Sequence, residues 1–475
     1  EPEVDKQISL LGSYPETVEQ IILQAKQAKD YYLLIGPPGT GKTNLALKSM
    51  VQEYLLTAEA ANRNCETYYH DNALLITAYT NRAVDEICSM LDNLSQSMSF
   101  DYLRIGSEQT TAAVHHSHLL SVRAHNFPNR KVALSMIQNI PIIVGTVVSL
   151  TNAQIIFNKK RFHTAIIDEA SQLLEPQILG LLSAKVNGEN AIQKFVLIGD
   201  HKQLPAVVQL PENQTMVEVK ELHQIGLFNL RNSLFERLHW LEKNHDRSNF
   251  VGLLNHQGRM HSDIAQFVNA KFYDGKLCVV PLPHQIEKLD WQHTDNIYEQ
   301  FVAQTRIGFV RIAQLKNTDN LCVNIPEASA ITKIIEAICT LHSKNALENF
   351  EPAKQIGIIV PFRSQISAIR NSLRKQGLAC ADTITIDTVE CYQGSQRDYI
   401  LYSTTISEPY QVHIISNLQE IDGNIVDRKL NVALTRARKQ LFIFGNPEIL
   451  RHSPLYSDLM SYCRHLDMMS TSLIE

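Results

Sequence analysis

The chain has 475 residues, 44% hydrophobic and 20% charged, with a formal net charge of −5. That length exceeds what one hydrophobic core supports and points to two or three domains of a globular protein. No run approaches the roughly 20 apolar residues that a membrane span needs, and the negative balance argues against binding nucleic acid over the whole surface, though not against a basic groove. Cysteines stand at Cys65, Cys88, Cys278, Cys322, Cys339, Cys380, Cys391 and Cys463 with no C-x-x-C pair. This spacing suggests neither a zinc nor an iron–sulfur site and fits reduced thiols in an intracellular compartment, cytoplasmic or nuclear. The chain opens at Glu1 rather than Met and shows no secretory signal, so upstream domains of a longer chain are an expectation.

Along the chain, the first predicted strand is the apolar run at 31–35. It leads into Gly36-Pro37-Pro38-Gly39-Thr40-Gly41-Lys42-Thr43, and residues 44–53 continue as a helix. G-x-x-x-x-G-K-[ST] between a strand and a helix is the phosphate loop. Its glycines let backbone N–H groups curl around a polyphosphate, and the helix start favours negative charge. Lys42 is expected on the β- and γ-phosphates, and the Thr43 hydroxyl on Mg²⁺. Further strands are predicted at 73–77, 142–145, 164–167 and 195–199, with a helix at 83–94. The strand at 164–167 ends in Asp168-Glu169. One carboxylate suits a metal and the other a water, because a bound cation lowers the basicity of what it binds. Asp168 is therefore expected to hold Mg²⁺ and Glu169 to deprotonate the attacking water. The strand at 195–199 runs into a tight turn that carries Gln203, a neutral amide able to touch the γ-phosphate or the lytic water.

A second set of strands is predicted at 355–360, 383–386, 398–404 and 440–444, separated by helices at 328–341, 364–374 and 431–438. The polar segment 242–249 is the expected boundary, giving domains 1–245 and 246–475. Residues 104–140 and 275–325 have weak periodicity and read as insertions or long connections. Strand–helix alternation implies parallel βαβ units. There is one phosphate loop for two α/β lobes, which suits a nucleotide site shared by both. His115, His116 and His118 could ligate a metal but have no partner cysteines nearby. Lys159-Lys160-Arg161 reads as a solvated turn or, less readily, as a nucleic-acid contact.

The ordered motifs GPPGTGKT, DEAS, GDHKQLPA, GRMH, YQGSQRD and NVALTRAR together resemble a superfamily 1 helicase. The resemblance is strongest to the branch that contains the nonsense-mediated-decay helicase and the nuclease-helicase of Okazaki-fragment processing, and it runs from about residue 33 to 446. It implies an α/β fold of two tandem RecA-like P-loop NTPase domains with parallel sheets and a nucleotide cleft between them. It also implies a monomeric, ATP-driven 5′-to-3′ motor on single-stranded DNA or RNA. The alternative is an ATPase switch that binds nucleic acid or protein without unwinding. The resemblance makes Gln203 a γ-phosphate sensor and Arg259 and Arg436 the arginines that reach ATP from the second lobe. A guanidinium fork there would neutralise charge on the γ-phosphoryl oxygens. It assigns Gln20 and Gln257 to the nucleotide base, and Thr80, Asn81, Thr146, Arg363, Thr388 and Gln393 to the nucleic-acid strand. Three positions depart from the family pattern. Gly258 stands where an aromatic often stacks on adenine, Glu390 where Asp is usual, and Gln396 where an acidic residue usually follows the Q-G loop.

Overall fold

The computed structural model describes residues 2–62, 67–125, 127–313, 321–345 and 349–467. Cys65 lies outside the described residues. The chain forms two compact units. The first comprises 1–201 and 205–255, and the second 202–204 and 256–475.

The first unit is built on seven strands: β1 (Tyr31–Ile35), β2 (Ala73–Ala78), β3 (Tyr102–Ile105), β4 (Ile142–Thr146), β5 (Phe162–Asp168), β6 (Ile192–Gly199) and β7 (Val251–Leu253). They lie in the order β3-β4-β2-β5-β6-β1-β7, every neighbouring pair parallel. A parallel sheet covered on both faces explains why these strands read as continuous apolar runs. Alternate residues enter opposite cores. Leu34, Ile76, Val144, Ile166 and Val196 pack on one face, and Leu33, Leu75, Ile143, Ile167 and Leu197 on the other.

The main sheet of the second unit has six strands: β8 (Ile307–Arg311), β9 (Ile356–Ile359), β10 (Thr385–Asp387), β11 (Arg397–Ser403), β12 (Ala437–Gly445) and β13 (Arg464–Asp467). Their order is β10-β9-β11-β12-β8-β13, again parallel throughout. Ile359, Ile400, Tyr402 and Leu441 face one core, and Ile358, Leu401, Phe442 and Phe444 the other. The short segment Lys202–Leu204 is part of this unit, and Leu204 lies in its first core.

Several elements differ from the sequence reading. Of the segments read as insertions, 104–140 begins within β3 at the edge of the first sheet, and 275–325 contains β8 inside the second. Within β8, Gly308 leaves room for Phe301 and Phe442, since a Cβ there would come within 2.6 Å of the Phe301 ring. A glycine in mid-strand weakens the β signal. The helix expected at 431–438 is Arg428–Leu434, and its last residues instead begin β12. The units divide after Asn255, because Val251–Leu253 still pairs with β1. No helix among the described residues is long and apolar enough to cross a membrane.

Candidate nucleotide and nucleic-acid sites

In the first unit, polar motifs follow the carboxyl ends of the buried strands, where open parallel sheets place ligands. The phosphate loop leaves β1 and is anchored by Gly36 N donating to the Gly199 carbonyl at 2.9 Å. Thr40 Oγ1 donates to the Pro37 carbonyl at 2.7 Å and fastens the loop on itself. Gly41 has φ 83°, a left-handed conformation natural to glycine, immediately before the helical turn Lys42–Leu47. A Cβ at Gly36 would come within 2.2 Å of the Lys42 side chain. Backbone conformation thus calls for glycine at Gly41, and the path of the Lys42 side chain calls for it at Gly36.

Lys42 and Thr43 meet the acidic pair. Thr43 Oγ1 lies 3.0 Å from Asp168 Oδ2, and Lys42 Nζ lies 3.3 Å from Glu169 Oε1 and 3.0 Å from the Gly36 carbonyl. Burial, then repulsion from Glu169, pushes the Asp168 carboxyl up to about 6, while Lys42 and Thr43 oppose the rise. Glu169 has φ 52°, a left-handed conformation uncommon for a side-chain-bearing residue. Gln172 Nε2 donates to Glu169 Oε2 at 3.0 Å and fixes its carboxylate. Sequence reading missed Gln172, although it stands only three residues beyond Glu169. A hydroxyl beside a buried carboxylate, with a second carboxylate adjacent, is the oxygen-donor set that suits a hard divalent cation.

Thr80 follows β2, and its Oγ1 accepts from Ala83 N at 3.2 Å as the N-cap of the helix Asn81–Ser95. Asn81 is the first residue of that helix. Thr146, at the end of β4, is buried. It accepts from Ser149 N at 3.1 Å and donates to Ser149 Oγ at 2.8 Å. Gln20 is exposed on the helix Glu16–Gln27.

The second unit assembles a different cluster. Arg436, 1% exposed, donates from Nη2 to Gln203 Oε1 at 3.0 Å, from Nε to the Val432 carbonyl at 3.0 Å, and from Nη1 to the Ser395 carbonyl at 3.4 Å. The expected phosphate sensor and one expected arginine are thus direct partners. Arg259 Nη1 donates to the Thr435 carbonyl at 3.3 Å, one residue from Arg436. Gln257 is fully buried. Its Oε1 accepts from Arg259 N at 3.0 Å and from Met260 N at 2.8 Å, and its Nε2 donates to the Met260 carbonyl at 3.1 Å. Its amide shapes the loop that presents Arg259.

Arg363 opens the helix Arg363–Lys375 after β9 and is exposed, whereas Thr388 follows β10 and precedes the turn Val389–Tyr392. These two mark the carboxyl end of the second sheet. Arg436 and Ser395 precede β12 and β11 and mark its amino end. The segment 388–395 runs from one end to the other, held by Tyr392 Oη donating to the Thr385 carbonyl at 2.6 Å. Within it, Gln393 Nε2 is buried with no hydrogen-bond partner among the described residues.

Two smaller readings change. Lys160 is fully buried, so the basic run is neither a solvated turn nor a surface contact at its centre. Its ammonium donates to the Tyr69 and Gln138 carbonyls at 2.7 and 2.6 Å. His115 Nδ1 and His118 Nε2 share Asp92 at 3.0 and 3.5 Å, His118 also stacks on Tyr102, and His116 Nδ1 lies 4.0 Å from Glu108. Among the described residues no group of three His, Cys, Asp or Glu could hold a metal.

Models of the AAA domain match the chain in tandem, one at 15–133 and 126–210 and a second at 230–448. Between them they cover most of its length. The chain belongs to the superfamily 1 helicases. Among the helicases it resembles, the DNA replication ATP-dependent helicase/nuclease JHS1 of Arabidopsis thaliana is 30% identical over 93% of the chain. The DNA replication ATP-dependent helicase/nuclease DNA2 of Xenopus laevis is 28% identical over 92%, and the Regulator of nonsense transcripts 1 of Dictyostelium discoideum 26% identical over 92%. The chain spans 29%, 38% and 31% of the lengths of these three relatives.

Proposed function

We propose that this chain is an ATP-hydrolysing motor that moves 5′ to 3′ along single-stranded nucleic acid and unwinds duplexes. The observation that carries the proposal is that each unit holds one of two chemically complementary clusters. One unit holds a phosphate loop against Asp168 and Glu169, and the other holds Gln203 against Arg436.

The loop backbone at Gly36–Thr43, including Pro37, Pro38 and Thr40, wraps the phosphates, and Lys42 contacts the β- and γ-oxygens. Thr43 and Asp168 are the residues that would hold Mg²⁺, which when bound neutralises phosphate charge. Glu169, oriented by Gln172, takes the proton from the attacking water. Gln203 contacts the γ-phosphate, and Arg436 with Arg259 neutralises charge that develops on the γ-phosphoryl group. Gln20 and Gln257 serve the nucleotide end of the site, Gln257 by fixing the Arg259 loop.

Thr80, Asn81, Thr146, Arg363 and Thr388 contact the strand backbone, where hydroxyls and helix starts hold phosphates without reading bases. Gln393 sits on the segment that joins Thr388 to the carbonyl on which Arg436 donates, so strand and nucleotide have a covalent route to one another. The test is ATP turnover titrated with single-stranded DNA and RNA, alongside displacement of a 5′-tailed duplex. Stimulation by the strand together with displacement is expected, and stimulation should fall steeply with salt. Strand-dependent turnover without displacement would leave only an ATPase switch, and turnover indifferent to both strands would remove the motor reading.

A further inference from the structure

A cavity of about 320 Å³ lies in the first unit, away from the phosphate loop. It sits between the helices Glu16–Gln27 and Lys48–Asn62 and the amino-terminal halves of β2, β5 and β6. Ile22, Met50, Leu74 and Val196 give it apolar walls. Its charged groups are Lys26, Glu53 and Lys194.

Those charges do not balance. Glu53 accepts from Lys26 Nζ at 2.7 Å, Tyr14 Oη at 2.8 Å, Leu11 N at 2.8 Å and Gly12 N at 2.9 Å, so its charge and that of Lys26 are mutually satisfied. Lys194 is 5% exposed and donates to the Ala25 and Lys26 carbonyls at 2.9 and 3.1 Å. Among the described residues no carboxylate pairs with it, and one of its three N–H donors has no partner. Burial, then the charge of Lys26, lowers its ammonium to about 8. Buried charges are ordinarily paired, and a mostly apolar cavity of this size accommodates a small two-ring molecule.

We propose that this cavity is a binding site for a small amphipathic anion, an apolar body of about two rings bearing one carboxylate or sulfonate, with the acid group on Lys194. Helix Lys48–Asn62 follows the helical turn Lys42–Leu47, so an occupant would touch the element next to the one that carries Lys42 and Thr43.

The probe is 2-naphthoate, with the neutral isostere 2-naphthamide as its comparison, titrated calorimetrically into the full chain without nucleotide. The native protein is expected to bind 2-naphthoate in the range of roughly 10–100 μM, and 2-naphthamide at least ~10-fold more weakly, the loss of one charge-assisted hydrogen bond. Lys194→Met should bring the acid to the affinity of the amide, and Met50→Trp, which fills the space, should remove both. Equal affinity of acid and amide for the native protein, no binding of the acid at millimolar concentration, or undiminished binding in Met50→Trp would each overturn the proposal. The acid–amide comparison on native protein stands even where a variant fails to fold.

Discussion

At Glu169, two demands meet in one residue. The backbone adopts a left-handed conformation while the side chain faces Lys42 Nζ at 3.3 Å and Gln172 Nε2 at 3.0 Å. Such strain persists where the surroundings over-determine it, as they do at reactive centres. Glu169→Gln keeps the volume and the contact with Gln172 but cannot accept a proton. Turnover is expected to fall by about 10³ while ATP affinity stays within a few-fold, read by steady-state hydrolysis and a nucleotide titration. Normal turnover would refute the base assignment. Gly36 tests the other half of the site. A methyl there meets the flexible Lys42 side chain rather than backbone, so Gly36→Ala should displace the ammonium without unfolding the unit. ATP affinity should drop at least ~10-fold with little change in melting temperature, the loss of one charge-assisted contact. At this scale the sequence was most legible, because Lys42, Thr43, Asp168 and Glu169 sit at strand ends within recognisable spacings. Gln172 and the partnership of Arg436 with Gln203 were not, since both depend on how loops fold.

At the scale of elements, the long central strands declared themselves as apolar runs, and the polar or short ones did not. Arg464–Asp467 is an edge strand with two charged residues. In Tyr102–Ile105 the buried Arg104 pairs with Asp85 and bonds Cys88, so a charge occupies a core position and hides the pattern. Lys160 misled for the same reason. Its carbonyl partners, Tyr69 and Gln138, are 91 and 22 residues away in sequence and cannot be inferred locally. Burial lowers its ammonium to about 7, well below the usual lysine range. The neutral amine still has two N–H donors for its two carbonyls. Between pH ~7 and ~10.5 the unfolded chain therefore binds more protons than the folded one at this position, and stability rises with pH across that window. Lys194, lowered to about 8, acts in the same direction. Lys160→Met should destabilise the first unit by about 2–4 kcal/mol at pH 9, by leaving two buried carbonyls unsatisfied. It should also remove about 2 kcal/mol of the stability that the native protein gains between pH 7 and 9. Denaturant unfolding at the two pH values reads both effects, and an unchanged pH slope in the variant would contradict them.

For the whole molecule, the division of labour between the units matters more than either alone. Each has an all-parallel sheet with cores on both faces, yet the phosphate loop belongs to the first and the Arg259–Thr435–Arg436 cluster to the second. An arginine supplied from a separate domain makes hydrolysis conditional on domain closure, which is how chemistry is converted into movement. The most direct measurement is single-turnover ATP hydrolysis by Arg436→Ala in the presence of saturating single strand, with ATP affinity determined in parallel. A fall in rate of ~10³ or more with affinity changed by no more than a few-fold is expected. Hydrolysis at the native rate would contradict the claim that the second unit completes the chemistry of the first.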